Sequence, residues 1–286
     1  MKCPLCRKFN IRRLRIEKGV EIFECRHCEL GFTNNVTKLM RPHQFGNTLY
    51  DFKGYKKEEK KLRERYGKLV QIITKYRNLG NVLDVGAGFG LFASILKKKG
   101  DFQIDIVEPV LKYRYIDITI SNFFKTAFEK FKAEGKKYDI VVLMDVLEHF
   151  GNPLNNLKKA KTLLKKDGIL VIQTPNYKSL MASICKDWAW WMIEDHKFFF
   201  SPNSLRKILN KTGFKTEYFS TQEDFEDFKK NLDGNFANIE NQLLRKTLKG
   251  FFFFFFIPIY FIFRKIIWKL NYGGLIFAIS RRREMI

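Results

Sequence analysis

The sequence is short of histidine and of acidic side chains. Among its 286 residues there are four histidines, and 53 lysines and arginines stand against 30 aspartates and glutamates, for a formal net charge of +23. So few histidines leave a short list of side chains that could carry a proton at neutral pH. The excess of positive charge is expected to attract anionic partners, namely nucleic acid, anionic lipid or phosphorylated substrates.

The chain opens Met-Lys-Cys-Pro with no apolar run behind it, so we expect no N-terminal secretory leader. We therefore expect a cytoplasmic protein. Cysteine is scarce, at five residues, and a reducing cytosol disfavours disulfides among them. A chain of this length can bury a sizeable core, so we expect one main domain with appendages.

Four of the cysteines form two Cys-x-x-Cys knuckles separated by 18 residues: Cys3, Cys6, Cys25 and Cys28. Two residues between thiols let adjacent sulfurs reach one ion, and two such hooks complete a tetrahedral shell. The pattern predicts a structural zinc ribbon over residues 1–40, with a strand-like segment between the hooks. A thiolate iron site or paired disulfides also fit this spacing.

A glycine-rich turn follows an apolar strand in residues 82–90, VLDVGAGFG, and leads into an amphipathic helix. Glycines there permit positive φ and let a ligand lie against bare main chain, which suits a nucleotide-like cofactor at the carboxyl edge of a parallel sheet. The dinucleotide fingerprint G-x-G-x-x-G would require glycine at position 91, which is Leu91. The turn instead reads G-x-G-x-G and follows an acid: Asp84, Gly86, Gly88 and Gly90.

This turn resembles the first motif of the class I S-adenosylmethionine (SAM)-dependent methyltransferases, and three further matches follow in order. Residues 104–108 resemble the second strand, residues 138–149 the fourth strand with the D-x-L-E-H segment of small-molecule methyltransferases, and residues 168–176 the fifth. The resemblance covers roughly residues 60–220. It implies an α/β fold with a doubly wound, Rossmann-like, mostly parallel sheet.

The resemblance also implies a set of residues that bind SAM. A carboxylate at Glu108 can accept both ribose hydroxyls, the family places the acid at Asp84 near the methionine moiety, and Asp145 is expected close to the cofactor. With the three glycines, the implied set is Asp84, Gly86, Gly88, Gly90, Glu108 and Asp145. The alternatives are a turn that holds no ligand and carboxylates that only satisfy loop amides or solvent.

Methyl transfer from SAM is an SN2 displacement, in which the protein mainly aligns the reactants and excludes water. A hydroxyl or activated carbon acceptor requires a general base, and histidine suits that role. His149 follows the fourth strand, and His196 lies in a segment similar to the family's E-x-H-x-x-x-F-S phrase. Both are candidate catalytic residues, the alternative being structural histidines, whereas Glu148 is expected to brace its loop.

Residues 251–263 are apolar throughout, include six consecutive phenylalanines and have basic residues on both sides. Thirteen helical residues span about 20 Å, less than a bilayer core of roughly 30 Å, and Pro258 is expected to interrupt a straight helix. We therefore expect residues 251–269 to form an interfacial or re-entrant segment at an anionic membrane surface rather than to span the membrane. Packing of this segment on its own domain or on a partner remains open.

The expected domain boundaries are a ribbon at 1–40, a linker at 41–57, a SAM-dependent methyltransferase domain at 58–222, and a helical connector with a hydrophobic, basic tail at 223–286. Strands alternate with predicted helices near 58–77, 90–99, 122–134, 154–165 and 202–212.

Three functions are compatible with these features. The first is methyl transfer to a small, lipid-linked or glycan-linked acceptor at a membrane surface. The second is methylation of RNA or protein gripped by the ribbon and the basic surface, and the third is a SAM-binding scaffold without turnover. The segment after the fourth strand lacks both the N-P-P-Y motif and a proline-cysteine pair. Their absence disfavours methylation of nucleic-acid bases.

Overall fold

The structure is a computed structural model that describes residues 1–33, 52–110, 120–185, 188–223, 228, 231–232, 235–236 and 239–283. It contains two compact units. The first combines Met1–Asn34, Thr174–Lys207 and Phe219–Phe277, and the second combines Asn35–Gln173, Ile208–Tyr218 and Ala278–Ile286. The units therefore divide the chain differently from the boundaries expected above, because the ribbon shares its unit with two later segments. Most of the expected linker, 41–57, lies outside the described residues.

The strands in chain order are β1 (Ile11–Glu17), β2 (Val20–Cys25), β3 (Gly31–Thr33), β4 (Leu79–Val85), β5 (Asp101–Val107), β6 (Asn122–Phe124), β7 (Tyr138–Met144), β8 (Leu164–Pro175), β9 (Phe198–Phe199), β10 (Phe214–Gln222) and β11 (Leu275–Arg282). The α-helices are α1 (Phe52–Tyr76), α2 (Leu91–Lys97), α3 (Pro153–Leu163), α4 (Leu180–Ile184), α5 (Pro202–Lys211) and α6 (Gln242–Lys269).

The larger sheet has the strand order β10-β11-β8-β7-β4-β5-β6. Its central pairs are parallel, with Leu83 opposite both Asp105 and Val141. Strand β7 is buried at every position, as expected for a parallel strand that is covered on both faces. The predicted doubly wound, mostly parallel α/β fold is thus confirmed. Because neighbouring parallel strands end at one edge, the segments that follow β4, β5 and β7 in the second unit meet there.

Four of the five predicted helices are present, with ends that differ from the predicted ones by a few residues. The helix predicted at 122–134 is wrong. Asn122–Phe124 instead pairs in parallel with β5, and turns follow it. The Phe124 and Phe131 rings lie 4.9 Å apart edge to face. The apolar spacing that suggested a helical face therefore comes from aromatic side chains packed around turns.

The first unit contains the smaller sheet, β1-β2-β3-β9, which joins the N-terminal hairpin to a strand far along the chain. Its core is aromatic, and it is formed by the ribbon, the segment after β8 and α6: Ile22, Tyr177, Met181, Trp188, Trp191, Phe199, Phe228 and Tyr260. The strand-like segment predicted between the cysteine hooks is confirmed as β1 and β2.

The C-terminal part of the chain differs from the expectation in two respects. Helix α6 runs through Pro258 without a break, so the predicted interruption is wrong. One face of the helix packs on the core of its own unit, and this packing stabilises the helix around the proline. Residues 275–282 form a strand of the larger sheet rather than part of a tail. Two glycines precede this strand, and a Cβ on Gly273 would lie 2.6 Å from the Gln222 backbone nitrogen.

Candidate functional site

The glycine turn between β4 and α2 belongs to the second unit and has the backbone conformation that its sequence predicts. Gly86, Gly88 and Gly90 have φ angles of 69°, 55° and 78°, a region that side chains disfavour. Their surroundings differ. A Cβ on Gly86 would lie 2.5 Å from Val146 Cγ2, whereas a Cβ on Gly88 would meet no atom of the described residues within 4 Å. Gly86 is therefore required for packing, and Gly88 presents bare backbone to open space.

Glu108 follows directly after β5 and holds the turn in place. Its Oε2 accepts a hydrogen bond of 3.0 Å from the Gly88 amide, and its Oε1 accepts one of 2.9 Å from the Val110 amide. A carboxylate is a pure acceptor with about four lone-pair sites, which is the chemistry that ligand hydroxyls require. The predicted acid and the predicted glycine thus lie in direct contact.

Asp84 lies near the end of β4 and is buried, with 2% of its surface exposed. Its Oδ2 has no hydrogen-bond partner among the described residues. Burial, followed by the negative charge of Glu108, raises the pKa of Asp84 to about 8. A buried carboxyl group without a partner for one oxygen is costly unless a ligand supplies a donor or a positive charge. This acid therefore fits a cationic ligand group.

Asp145 follows β7 and takes a left-handed backbone conformation, with φ of 54°. Its amide donates to the Gln173 carbonyl at 2.9 Å, and Gln173 Nε2 donates to Asp145 Oδ2 at 2.8 Å. Positive φ at a residue other than glycine is uncommon and is concentrated at functional sites. Sequence reasoning missed Gln173. The sequence pattern that could have identified Gln173 is a polar residue directly after the apolar run of β8. The structure shows that this residue is fully buried.

Aromatic side chains of α1 pack beside the glycine turn. The ring centroids of Phe52 and Tyr55 lie 5.7 and 4.6 Å from that of Phe89, and Tyr66 contacts Phe92 edge to face. Burial raises the pKa of Tyr55 above its usual range, so this phenol stays neutral. Tyr55 therefore lies against the glycine turn as a neutral side chain.

The two candidate histidines belong to different units. His149 is half-buried at the end of a 3₁₀ turn, Leu147–His149, in the second unit. His196 is buried in the first unit, where its Nδ1 lies 3.0 Å from the Trp190 carbonyl oxygen and its ring stacks on the Trp190 indole. Glu148, which was expected to brace the loop, is buried in the same 3₁₀ turn as His149.

The four N-terminal cysteines meet in the first unit. Their sulfur atoms all lie within 4.8 Å of one another, with Cys3 3.4 Å from Cys28 and Cys6 3.5 Å from Cys25. All four are free thiols. A zinc ion with four bonds of about 2.3 Å would set sulfurs roughly 3.8 Å apart. The cluster therefore has the ligand type and the size for one tetrahedral metal ion.

The ribbon is bonded to the segment that follows β8. Tyr177 Oη donates to Glu24 Oε1 at 3.0 Å and to the Glu29 carbonyl at 2.8 Å, and Ser201 Oγ donates to Glu29 Oε2 at 3.0 Å. Lys178 forms a salt bridge of 2.6 Å with Glu24, which is nearly fully buried. Sequence reasoning did not find this network, because its members lie about 150 residues apart.

Comparison with known proteins agrees with this geometry. Residues 58–218, more than half of the chain, match the family model described as "Methyltransferase domain". Ubiquinone biosynthesis O-methyltransferase of Cereibacter sphaeroides is 30% identical over 146 residues, or 46% of this chain and 59% of that protein. The protein of the same description from Dinoroseobacter shibae is 29% identical over 163 residues, or 52% and 65%. The chain thus spans about six tenths of the length of these curated relatives.

Solved structures share the fold. A SAM-dependent methyltransferase from Archaeoglobus fulgidus has 21% sequence identity and a TM-score of 0.54, with 81% of this chain and 100% of that chain covered. The plantazolicin methyltransferase BpumL in complex with SAH has 13% identity and a TM-score of 0.50, with 82% and 88% covered.

Proposed function

Since the chain belongs to the class I SAM-dependent methyltransferase domain family, we propose that it transfers the methyl group of SAM to a small, lipid-linked or glycan-linked acceptor at a membrane surface. The observation that carries the proposal is the hydrogen bond between the Gly88 amide and Glu108, beside a space that no described residue fills. It lies close in sequence to Asp84, whose Oδ2 has no hydrogen-bond partner in the described part of the chain.

Each of these groups has a role in binding the cofactor. Glu108 accepts hydrogen bonds from the ribose hydroxyls, and Gly88, which the same carboxylate holds in place, allows the cofactor to approach the main chain. Asp84 receives the positively charged methionine part, and Asp145 lies close to the cofactor in a backbone conformation fixed by Gln173. When bound, SAM supplies a methyl group that is already activated for displacement.

A base on the protein removes the proton of the acceptor, and His149 or His196 takes this role. Histidine can accept a proton at neutral pH, and each lies in a segment that follows a strand of the larger sheet. The curated relatives carry names as O-methyltransferases. This supports a hydroxyl acceptor, for instance on a quinone precursor or a polyprenyl-linked sugar, for which a base is needed.

One structural zinc ion is held by Cys3, Cys6, Cys25 and Cys28. Four thiolates close its coordination shell, so it has no open position for catalysis. Its contribution is to the folding of the ribbon, because formation of the site and local folding are coupled.

The proposal also includes a location. The enzyme is cytoplasmic and binds peripherally to the inner face of the cytoplasmic membrane. Helix α6 is the one helix in the described part of the chain that is long and apolar enough to cross a bilayer, with a mean hydropathy of 1.8 in its most apolar window. Basic residues stand at both ends of its apolar stretch, and they favour an anionic surface.

A second candidate function is methylation of RNA or protein, which the net charge of +23 favours. The two are separated by radiolabelled SAM offered with membrane lipid and glycan extracts or with total RNA and protein. Label should enter the lipid or glycan fraction, and extracts of cells without the gene should show by mass spectrometry which species loses a methyl group. Label in RNA or protein alone would establish the second function. SAM binding without methyl transfer to any fraction would indicate a SAM-binding scaffold without turnover.

A further inference from the structure

We infer that α6 lies in the plane of one membrane leaflet, with its outer face in the lipid and its inner face retained on the core of the first unit. The inference rests on the membrane placement proposed above and is independent of the methyl-transfer chemistry. The protein would then bind one leaflet of the membrane without crossing it. The length and hydropathy of the helix by themselves would also fit a membrane-spanning segment.

The inner face of α6 is packed on its own unit. Tyr260 is 4% exposed, and its ring lies 3.9 Å, centroid to centroid, from that of Phe228, stacked at 26°. Phe256 stacks on the same Phe228 ring at 6.0 Å, and Phe252 meets Phe236 at 5.6 Å. These positions recur every four residues along the helix, so they form one stripe. Leaving the unit would expose these rings to lipid or water without their partners.

The end of α6 is also tied to its unit by hydrogen bonds. Thr221 Oγ1 donates to the Trp268 carbonyl at 2.9 Å and accepts from the Gly273 amide at 3.1 Å. The Leu180 amide donates to the Tyr272 carbonyl at 2.9 Å. These bonds hold the helix end and the following turn, so turning α6 across a bilayer would break them.

The outer face of α6 is apolar and uncovered. Phe254 and Ile262 are each 71% exposed and Phe251 is 66% exposed. The rest of this face has the same character: Leu244, Leu248, Phe255, Ile259, Phe263 and Ile266. A contiguous apolar stripe of this length is unusual on the surface of a protein surrounded by water and marks an interaction surface.

The charges at the ends of α6 identify the occupant as an anionic bilayer. No charged residue occurs from position 250 to 263, and three basic residues lie within the helix on either side: Arg245, Lys246, Lys249, Arg264, Lys265 and Lys269. The uncharged stretch of 14 residues is about 21 Å long, shorter than a hydrocarbon core of roughly 30 Å. A spanning helix would draw charge into the core, whereas an in-plane helix brings both basic ends to the headgroups of one leaflet.

The orientation is tested with two variants that each add one cysteine, Lys246→Cys and Lys269→Cys, near the two ends of the helix. Each zinc-loaded protein is bound to sealed phosphatidylglycerol-containing vesicles and treated from outside with a membrane-impermeant maleimide. The unaltered protein measures background from its own cysteines, and detergent-opened vesicles measure full labelling. Both variants should label to the same extent before and after the vesicles are opened. Protection of either position until the vesicles are opened would show a spanning helix and overturn the inference.

The docking face is tested with a matched pair of exposed phenylalanines. Phe254→Ser removes a 71% exposed ring from the outer face, and Phe9→Ser removes a 69% exposed ring from the ribbon. The apparent affinity for the same vesicles, measured by sedimentation, should fall by about tenfold for Phe254→Ser because the burial of one large side chain is lost. It should be unchanged for Phe9→Ser. Equal binding by both variants would mean that another surface docks. If the unaltered protein does not sediment at all, the membrane placement itself is wrong, while methyl transfer to a soluble acceptor would be unaffected.

Discussion

The Gly88 amide donates a hydrogen bond of 3.0 Å to Glu108 Oε2, so the glycine turn after β4 and the acid after β5 form one structure. The bond fixes the turn in the conformation that leaves Gly88 bare. The two motifs therefore act together. Gly88 leaves space for a ligand beside the main chain, and the Glu108 carboxylate both holds the turn and accepts hydrogen bonds from a ligand.

Gly88→Val should abolish binding of SAM and SAH, because the new side chain would fill the open space beside the turn. Calorimetric titration with SAH measures this directly. Gly135→Val is the matched control, since Gly135 also belongs to the second unit, has positive φ and has no described atom within 4 Å of its Cβ position. Both variants carry similar backbone strain, so comparable thermal destabilisation is expected. Loss of SAH binding in both would attribute the effect to strain rather than to the cofactor space.

Asp84 should couple cofactor binding to pH. Its pKa of about 8 in the cofactor-free protein lies above the unfolded value of about 3.9. Asp84 therefore adds to the free energy of unfolding in full below pH ~4. This stabilisation is lost as pH rises through 8. A cationic ligand prefers the ionised acid, so SAM affinity should rise as pH approaches 8, with proton release on binding.

Asp84→Asn supplies the control for this pH dependence. The amide cannot ionise, so the midpoint of thermal unfolding of the cofactor-free variant at pH 8 should rise, while SAM affinity falls and loses the Asp84-dependent part of its pH dependence. Comparing the variant with the unaltered protein subtracts any titration of SAM itself. Identical affinity–pH curves for the two proteins would show that Asp84 does not contact the cofactor.

Much of this fold and site was accessible from sequence because the signals were local. The turn at 82–90 and the two cysteine knuckles follow from residue spacing within short stretches, and the acid at Glu108 follows from the resemblance to the methyltransferase family. The helix predicted at 122–134 was wrong because packing around turns gave a helix-like spacing. The continuity of α6 through Pro258 and the strand β11 depend on partners distant in sequence. The same is true of the salt bridge between Glu24 and Lys178. Such pairings carry no local pattern.

Removal of the proposed zinc ion should loosen the ribbon and β9 together. Strand β3 pairs with β9 through Gly31 opposite Phe199, and the Thr33 amide donates to the Lys197 carbonyl at 3.2 Å. After chelation, amide hydrogen exchange should accelerate in residues 197–200 and in the ribbon, with little change in β4 and β7. Unchanged protection of residues 197–200 would show that β9 is stable without the metal.

Metal content provides the matching chemical test. The unaltered protein should carry one zinc ion per chain, and Cys28→Ser should lose it because three ligands remain. Cys185→Ser should keep it, since Cys185 is buried in the aromatic core and is not part of the four-sulfur cluster. Zinc retained in Cys28→Ser, or iron in place of zinc in the unaltered protein, would contradict the assignment.

The last prediction separates the two candidate bases. Loss of the base should lower kcat by about 10² to 10⁴ and leave SAH affinity unchanged. His149 is half-buried, so His149→Ala should change stability little. His196 is buried and stacked on Trp190, so His196→Ala should also lower the unfolding midpoint. His196→Gln, which keeps a polar side chain in its place, is the fairer test of chemistry. If His149→Ala and His196→Gln both retain full kcat on the identified acceptor, neither histidine is the base, and alignment of the acceptor with the methyl group must account for the rate.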